Sequence, residues 1–156
     1  MIFVTVGTDT NSFNRLLKKV DELIEENKIK DEVIMQIGYS TYIPKYAKWF
    51  RFASYNEIKI LNKKAKLIIT HGGVGSILTA LIFEKPVLAV PRLKKFKEHV
   101  DDQQTELVKA LDKEGYIKGV FDLNKLESEI KKFKMKKVKS TKSMLIKEIK
   151  NYLSKC

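Results

Sequence analysis

Between His71 and Gln104 the chain concentrates the residue types that handle anions. His71-Gly72-Gly73-Val74-Gly75-Ser76 follows an apolar run, Leu67 to Thr70, and leads into a helical pattern from Ser76 to Phe83. Gly72, Gly73 and Gly75 let the backbone come close to a ligand and expose its amides. Ser76 and the unpaired amides of a helix start offer a seat to phosphate. A second polar group, Glu98, His99, Asp102, Gln103 and Gln104, follows an apolar run that ends at Pro91-Arg92. This order builds a pocket for a phosphate-bearing ligand. The bland alternative is a tight strand-to-helix turn with no ligand. Three glycines, a histidine and a serine within six residues weigh against it. No Gly-Lys-Ser/Thr follows, so the turn is not a Walker loop; GxGxxG spacing with an acid to follow is also missing, so a nicotinamide site has no support.

The elements that position these residues alternate between period 2 and period 3.6. Ile2 to Val6 reads as a buried strand ending at Gly7. Asp9 to Ser12 offers N-cap candidates for a helix carrying Phe13, Leu16, Leu17, Val20, Leu23 and Ile24. Glu32 to Ile37 reads as a strand, Tyr39 to Pro44 as loop and Trp49 to Ala53 as a third strand. Ser54 caps a helix with Ile58, Leu61 and Ala65 on its apolar side. Leu67 to Thr70 and Val87 to Val90 are further strands, and His99 to Lys113 is a helix ended by Gly115. Tyr116 to Phe121 reads as a short strand, and Leu123 to Phe133 and Ser143 to Leu153 as the last helices. Strands separated by helices imply an α/β fold: a single Rossmann-like, doubly wound parallel sheet. In such sheets ligands sit at the carboxyl ends of strands. That rule selects Gly7-Thr8-Asp9-Thr10, His71 to Ser76, and Pro91 to Gln104.

Composition bounds the class. With 156 residues and 44% hydrophobic content, the chain is one folded domain with a true core. The single cysteine, Cys156, rules out an internal disulfide framework and gives no metal cluster, which fits a reducing compartment. No apolar run approaches the roughly 20 residues of a membrane helix, and Met1 to Asp9 lacks the features of a signal peptide. The expected location is cytoplasmic. The net charge of +12 is unevenly placed: ten lysines against one acid, Glu148, fall between Lys131 and Cys156. Basicity therefore belongs to the tail. The division expected is a ligand-binding domain over 1–135, then a Lys-rich linker and amphipathic helix over 136–156. Met144, Leu145, Ile149, Tyr152 and Leu153 form the apolar stripe of that helix, which packs on the domain itself or on a partner. No RNA-reading aromatic pattern and no DNA-binding helix pair accompanies the charge, so nucleic acid is not an expected partner.

Four segments, in this order and spacing, resemble a known family. They are Phe3-Val4-Thr5-Val6-Gly7-Thr8; Leu67 to Ser76; Lys85-Pro86; and Pro91-Arg92 through Glu98-His99-Val100-Asp101-Asp102-Gln103-Gln104. Together they are similar to the donor-binding half of inverting glycosyltransferases of the GT-B type, the glycosyltransferase family 28 C-terminal-domain type. Closer still are the small donor-binding subunits of split UDP-sugar transferases. These include the cytosolic subunit of the dolichol-linked UDP-GlcNAc transferase and bacterial exopolysaccharide and capsule subunits. The resemblance covers Ile2 to Lys118. It implies a UDP-sugar substrate, with the Gly72 to Ser76 turn around the donor diphosphate, His71 as an electrostatic contact to it, and Gly7 and Thr8 among the donor-binding residues. It implies that Gln103 and Gln104 hydrogen-bond the sugar or phosphate and that His99 and Asp102 shape that side. For Arg92 two places stay open, phosphate neutralisation or the surface. Asp101-Asp102 looks like a metal pair, but the resemblance favours capping or sugar contact. It implies no metal and no cofactor, since amides and a helix dipole stabilise the leaving diphosphate.

One position departs from the pattern. Many larger relatives carry a ribose-gripping glutamate on the helix after the glycine turn, and here Thr79 stands there. A hydroxyl cannot accept from two vicinal hydroxyls as a carboxylate does. Inverting transfer also needs a general base, which the resemblance places largely on the other domain. The catalytic base is therefore unassigned in this chain. The expectation is a catalytic subunit moving a hexose or N-acetylhexosamine to a lipid-linked acceptor. A membrane-anchored, acceptor-binding partner would complete it and recruit it to the cytoplasmic face. The alternatives are a nucleotide-sugar-binding regulatory or interaction module without catalysis and, more weakly, an epimerase-like α/β enzyme.

Overall fold

The computed structural model describes residues 1–133 and 147. Six strands form one parallel sheet: β1 (Ile2–Thr5), β2 (Val33–Gln36), β3 (Lys48–Phe50), β4 (Leu67–His71), β5 (Val87–Val90) and β6 (Lys118–Gly119). Between residues 1 and 133 the α-helices are α1 (Asn14–Glu25), α2 (Tyr55–Lys64), α3 (Val74–Ile82), α4 (Gln103–Lys113) and α5 (Leu126–Phe133). The spatial order is β3-β2-β1-β4-β5-β6. The order reverses between β1 and β4, and crevices in parallel sheets open at such a switch point. Val4 lies level with Ile69, and Ile69 with Leu88, so β1, β4 and β5 end side by side.

The sheet is sandwiched because its central strands are apolar on both faces. On one face Ile2, Val4, Leu67, Ile69 and Leu88 pack against Leu16, Leu17, Val20 and Leu23 of α1 and Leu126 and Ile130 of α5. On the other, Phe3, Ile68, Val87 and Ala89 meet Ile77, Ala80 and Leu81 of α3 and Leu107, Val108 and Leu111 of α4. The doubly wound, Rossmann-like reading holds. No helix among the described residues is long and apolar enough to cross a membrane.

Several boundaries move. Ser54 caps α2 as expected, in a reciprocal pair with Glu57. None of Asp9 to Ser12 caps α1; Phe13 stands at that position without a side-chain cap, and its amide donates to Ser40 Oγ at 2.9 Å. Helix α3 starts at Val74, two residues before Ser76. Helix α4 starts at Gln103 and not at His99, because the preceding polar side chains bond to local backbone instead of letting it coil. The third strand is Lys48–Phe50, shorter than and shifted from Trp49 to Ala53, and β6 keeps only Lys118–Gly119 of the run expected there. The Lys-rich linker and, apart from Lys147, the helix expected over Ser143 to Leu153 lie outside the described residues.

Candidate functional site

A cleft of about 640 Å³ opens where β1 and β4 end. Gly7, Thr8, His71, Gly73, Gly75, Ser76, Thr79 and Gln104 line it, and so do Thr5, Asp9, Gln36, Tyr55 and Asn62. The expected loops after β1 and β4 therefore meet there. Gly72, Arg92, His99, Asp102 and Gln103 are not on its wall.

The start of α3 supplies the donors. Gly73 at the N-cap has no side-chain cap, and the first intrahelical bond to the new helix is Ile77 N to Gly73 O at 3.1 Å. The amides of Val74, Gly75 and Ser76 precede it and have no partner within the helix. They point along the helix axis towards the cleft, with the positive end of the dipole behind them.

His71 closes the floor. Its ring is buried, and Nε2 lies 3.3 Å from Ser76 Oγ. Burial, reinforced by the Arg92 charge, pushes its pKa down to about 3, so the ring is neutral at pH 7. The ring also explains two glycines. A Cβ on Gly7 would lie 2.4 Å from His71 Nε2, and one on Gly73 would lie 2.1 Å from His71 Cε1. Gly7 in addition takes φ +72°, open to glycine at no steric cost. Gly72 serves packing as well: its Cβ would meet that of Gln104 at 2.7 Å. Only Gly75, of the glycines in this turn, faces open space, with nothing within 4 Å of a Cβ built there. It is the one whose missing side chain leaves room for a ligand.

The β5–α4 connection behaves differently from expectation. Arg92 is fully buried, which corrects a surface placement. Its guanidinium donates to Val6 O at 2.6 Å, Asn11 O at 2.9 Å and Glu98 O at 3.0 Å, and stacks over Phe13. Those bonds tie the β1 loop to the β5 loop, and Arg92 is not on the cleft wall. Burial pulls the Arg92 pKa below the usual guanidinium value, against the opposing pull of Asp9 and Glu98. Gln104 touches the cleft but its Oε1 accepts from two buried amides, Gly72 N at 3.1 Å and Arg92 N at 3.0 Å. Asp102 Oδ1 accepts from Lys94 N at 3.0 Å, holding the Lys94–Phe96 turn. His99 has Nδ1 at 3.1 Å from Asp101 Oδ1 and Nε2 at 3.8 Å from Asp9 Oδ2. Asp101 Oδ1 also accepts from the amide of Gln103 at 2.9 Å.

Thr79 donates its hydroxyl proton to Gly75 O at 2.8 Å, so towards the cleft it can only accept. Gln36, Thr5, Tyr55 and Asn62 were not singled out as site residues from the sequence, and Asp9 only as part of the loop after β1. Thr5 Oγ1 donates to Gln36 Oε1 at 2.7 Å and accepts from Gly7 N at 3.1 Å, which sets the β1 turn. A polar residue ending each of two buried strands was the available signal. For Asp9 burial pushes the pKa up, but the Asn11 backbone and side-chain bonds and the charges of Arg92 and His99 outweigh it and hold it below the usual value. Asp9 is therefore an anion at pH 7.

The sequence matches the profile of the glycosyltransferase family 28 C-terminal domain over residues 1–154. It is 35% identical, over 125 residues, to the human "UDP-N-acetylglucosamine transferase subunit ALG13", covering 74% of this chain and 10% of that protein. The chain thus spans about a tenth of the human relative's length. In fold it is similar to the glycosyltransferase of kitacinnamycin, with a TM-score of 0.66 at 14% identity over 97% of this chain and 39% of that one. It is also similar to the solution structure of ALG13, with a TM-score of 0.57 at 19% identity, covering 88% and 87% of the two chains.

Proposed function

The chain belongs to the glycosyltransferase family 28 C-terminal domain family, and from that premise we propose that it is the donor-binding subunit of a UDP-sugar glycosyltransferase. The diphosphate lies on the amides of Val74, Gly75 and Ser76, beside neutral His71. The nucleoside runs along α3 past Thr79 towards Tyr55 of α2. The observation that carries the reading is the uncapped start of α3 opening into the cleft at Gly75, where a Cβ would meet nothing. Amides and a helix dipole are the groups that stabilise a leaving diphosphate. Transfer in this reading needs no metal and survives EDTA.

The transferred group is a hexose or N-acetylhexosamine, and N-acetylglucosamine is the first to test because of the human relative's name. The acceptor is lipid-linked and held by a separate, membrane-anchored subunit that recruits this chain to the cytoplasmic face and supplies the general base. Two observations support a partner. The human relative is called a subunit, and the cleft's own imidazole, His71, is a weak base at neutral pH because of its depressed pKa.

The test is calorimetric titration with UDP, UDP-GlcNAc, UDP-galactose and UDP-glucose, followed by transfer assays with and without a co-expressed partner. UDP binding at micromolar concentration and partner-dependent transfer are expected. Absence of UDP binding would falsify the donor reading. Robust transfer by the isolated chain sinks the partner requirement, and binding without transfer under any partner favours a regulatory nucleotide-sugar module.

A further inference from the structure

One group in the cleft works against a diphosphate. Asp9, an anion, lines the same cleft as Gly75 and Ser76 of α3, where a second anion is repelled. It does not cap α1, since Phe13 stands at that position. The loop uses only one of its oxygens: Oδ1 accepts from Asn11 N at 2.7 Å and from Asn11 Nδ2 at 2.9 Å. No hydrogen bond to Oδ2 is found among the described residues, and His99 Nε2, at 3.8 Å, is beyond hydrogen-bond reach. A carboxylate oxygen half-shielded in a cleft accepts strongly from a hydroxyl.

Two of the oxygens first matched to that side of the pocket are engaged by the protein's own amides. Gln104 Oε1 holds Gly72 N and Arg92 N, and Asp102 Oδ1 holds Lys94 N. Asp9 also lies at the right end of the cleft. It reaches towards the β5 end, where His99 and Arg92 act on it, whereas Thr79, Asn62 and Tyr55 line the cleft from α3 and α2. With the diphosphate on the start of α3, the nucleoside and the sugar occupy opposite sides of it.

We propose that Asp9 Oδ2 accepts a hydrogen bond from a hydroxyl of the transferred sugar, which makes Asp9 the residue that separates a UDP-sugar from UDP. The assignment rests on the donor reading above and adds to it a contact with the sugar itself. The carboxylate costs affinity for UDP alone and returns it only when a sugar hydroxyl is present.

Asp9→Asn tests this, because the amide oxygen keeps the turn with Asn11 while the charge and the acceptor strength of Oδ2 go. The readouts are dissociation constants for UDP, 2′-deoxy-UDP and UDP-GlcNAc, with UDP-glucose and UDP-galactose as further sugars, and a thermal melt as a check of folding. Expected is an unchanged or tighter UDP affinity and a rise of about tenfold or more in the ratio of the UDP-sugar constant to the UDP constant. Asp9→Ala should raise that ratio at least as far. An unchanged ratio while wild-type protein binds UDP overturns the Asp9 assignment and leaves the donor reading intact. A loss shared by UDP and UDP-sugar that disappears with 2′-deoxy-UDP moves the contact to the ribose and also overturns it. Failure of wild-type protein to bind UDP removes both readings.

Discussion

The start of α3 and the connection from β5 to α4 carry the two halves of one sequence signature, yet they spend their polar groups in opposite ways. At α3 the amides of Val74 to Ser76 lack helical partners, the N-cap offers no side chain, and Gly75 faces empty space. In the β5–α4 connection Arg92, Glu98 and Gln104 are buried and bond to backbone or to each other across the loops. Glu98 takes a bidentate pair from Arg15, at 3.0 Å to each oxygen, and the amide of Leu93. One region keeps its hydrogen-bonding capacity for a ligand, and the other uses it to hold the walls at fixed spacing. Buried polar groups are costly unless satisfied; the second region meets most of that cost with internal bonds, Arg92 Nε excepted, and the first leaves its helix-start amides open.

The sharpest way to break that contrast is Arg92→Ala. It orphans the carbonyls of Val6, Asn11 and Glu98 inside the protein and removes the buried cation beside Asp9, while Glu98 keeps its pair with Arg15. A loss of about 3–5 kcal/mol is expected, which lowers the melting temperature by about 10 °C or more. If the melt is unchanged and only UDP affinity falls, Arg92 belongs with the ligand and the contrast is wrong.

Two glycine substitutions sharpen it within the α3 turn. Gly73→Ala forces its methyl into the His71 ring and should cost about 1–3 kcal/mol in urea denaturation. Gly75→Ala meets no atom, and alanine is the better helix former, so stability should hold or rise by up to about 1 kcal/mol. Its UDP affinity should nevertheless drop by about tenfold, because the methyl fills ligand space. Equal behaviour of the two variants would erase the distinction between a packing glycine and a ligand glycine.

The last effect is one of slope and concerns pH. His71 has a folded pKa near 3 against an ordinary value of 6.5, so between these values the unfolded chain binds the proton that the native chain refuses. Stability from this group is complete above about pH 6.5 and declines as pH falls towards 3, at up to about 1.4 kcal/mol per pH unit. Denaturation curves of wild-type protein and His71→Gln between pH 7 and 5, above most carboxylate titrations, should diverge in slope. Parallel slopes would mean that the imidazole is solvated and the α3 floor is open beneath the ligand.

Much of the fold was legible because it depends on local periodicity. The buried runs Ile2 to Thr5, Leu67 to Thr70 and Val87 to Val90 became β1, β4 and β5, and the period of Leu16, Leu17, Val20 and Leu23 gave α1 its buried face. Boundaries set by competing side-chain bonds were not legible. Helix α4 begins at Gln103 because Asp101 and Asp102 bond to local amides, and nothing in a helical period records that. Asp9 read as a cap candidate because acids before an apolar period usually cap; here it closes a turn on Asn11 and faces the cleft.

By itself the sequence determined the alternation of strands and helices, the glycine-rich helix start after β4 and the family to which these belong. All three follow from residue type and spacing along the chain. Only the tertiary structure decided which polar side chains remain for a ligand. Gln104 and Arg92 are recruited by amides and carbonyls up to 86 residues away, whereas Gly75 and Asp9 line the cleft and Asp9 Oδ2 takes no hydrogen bond among the described residues. Hydrogen-bonding capacity is finite, and how it is shared among distant partners is settled when the chain folds.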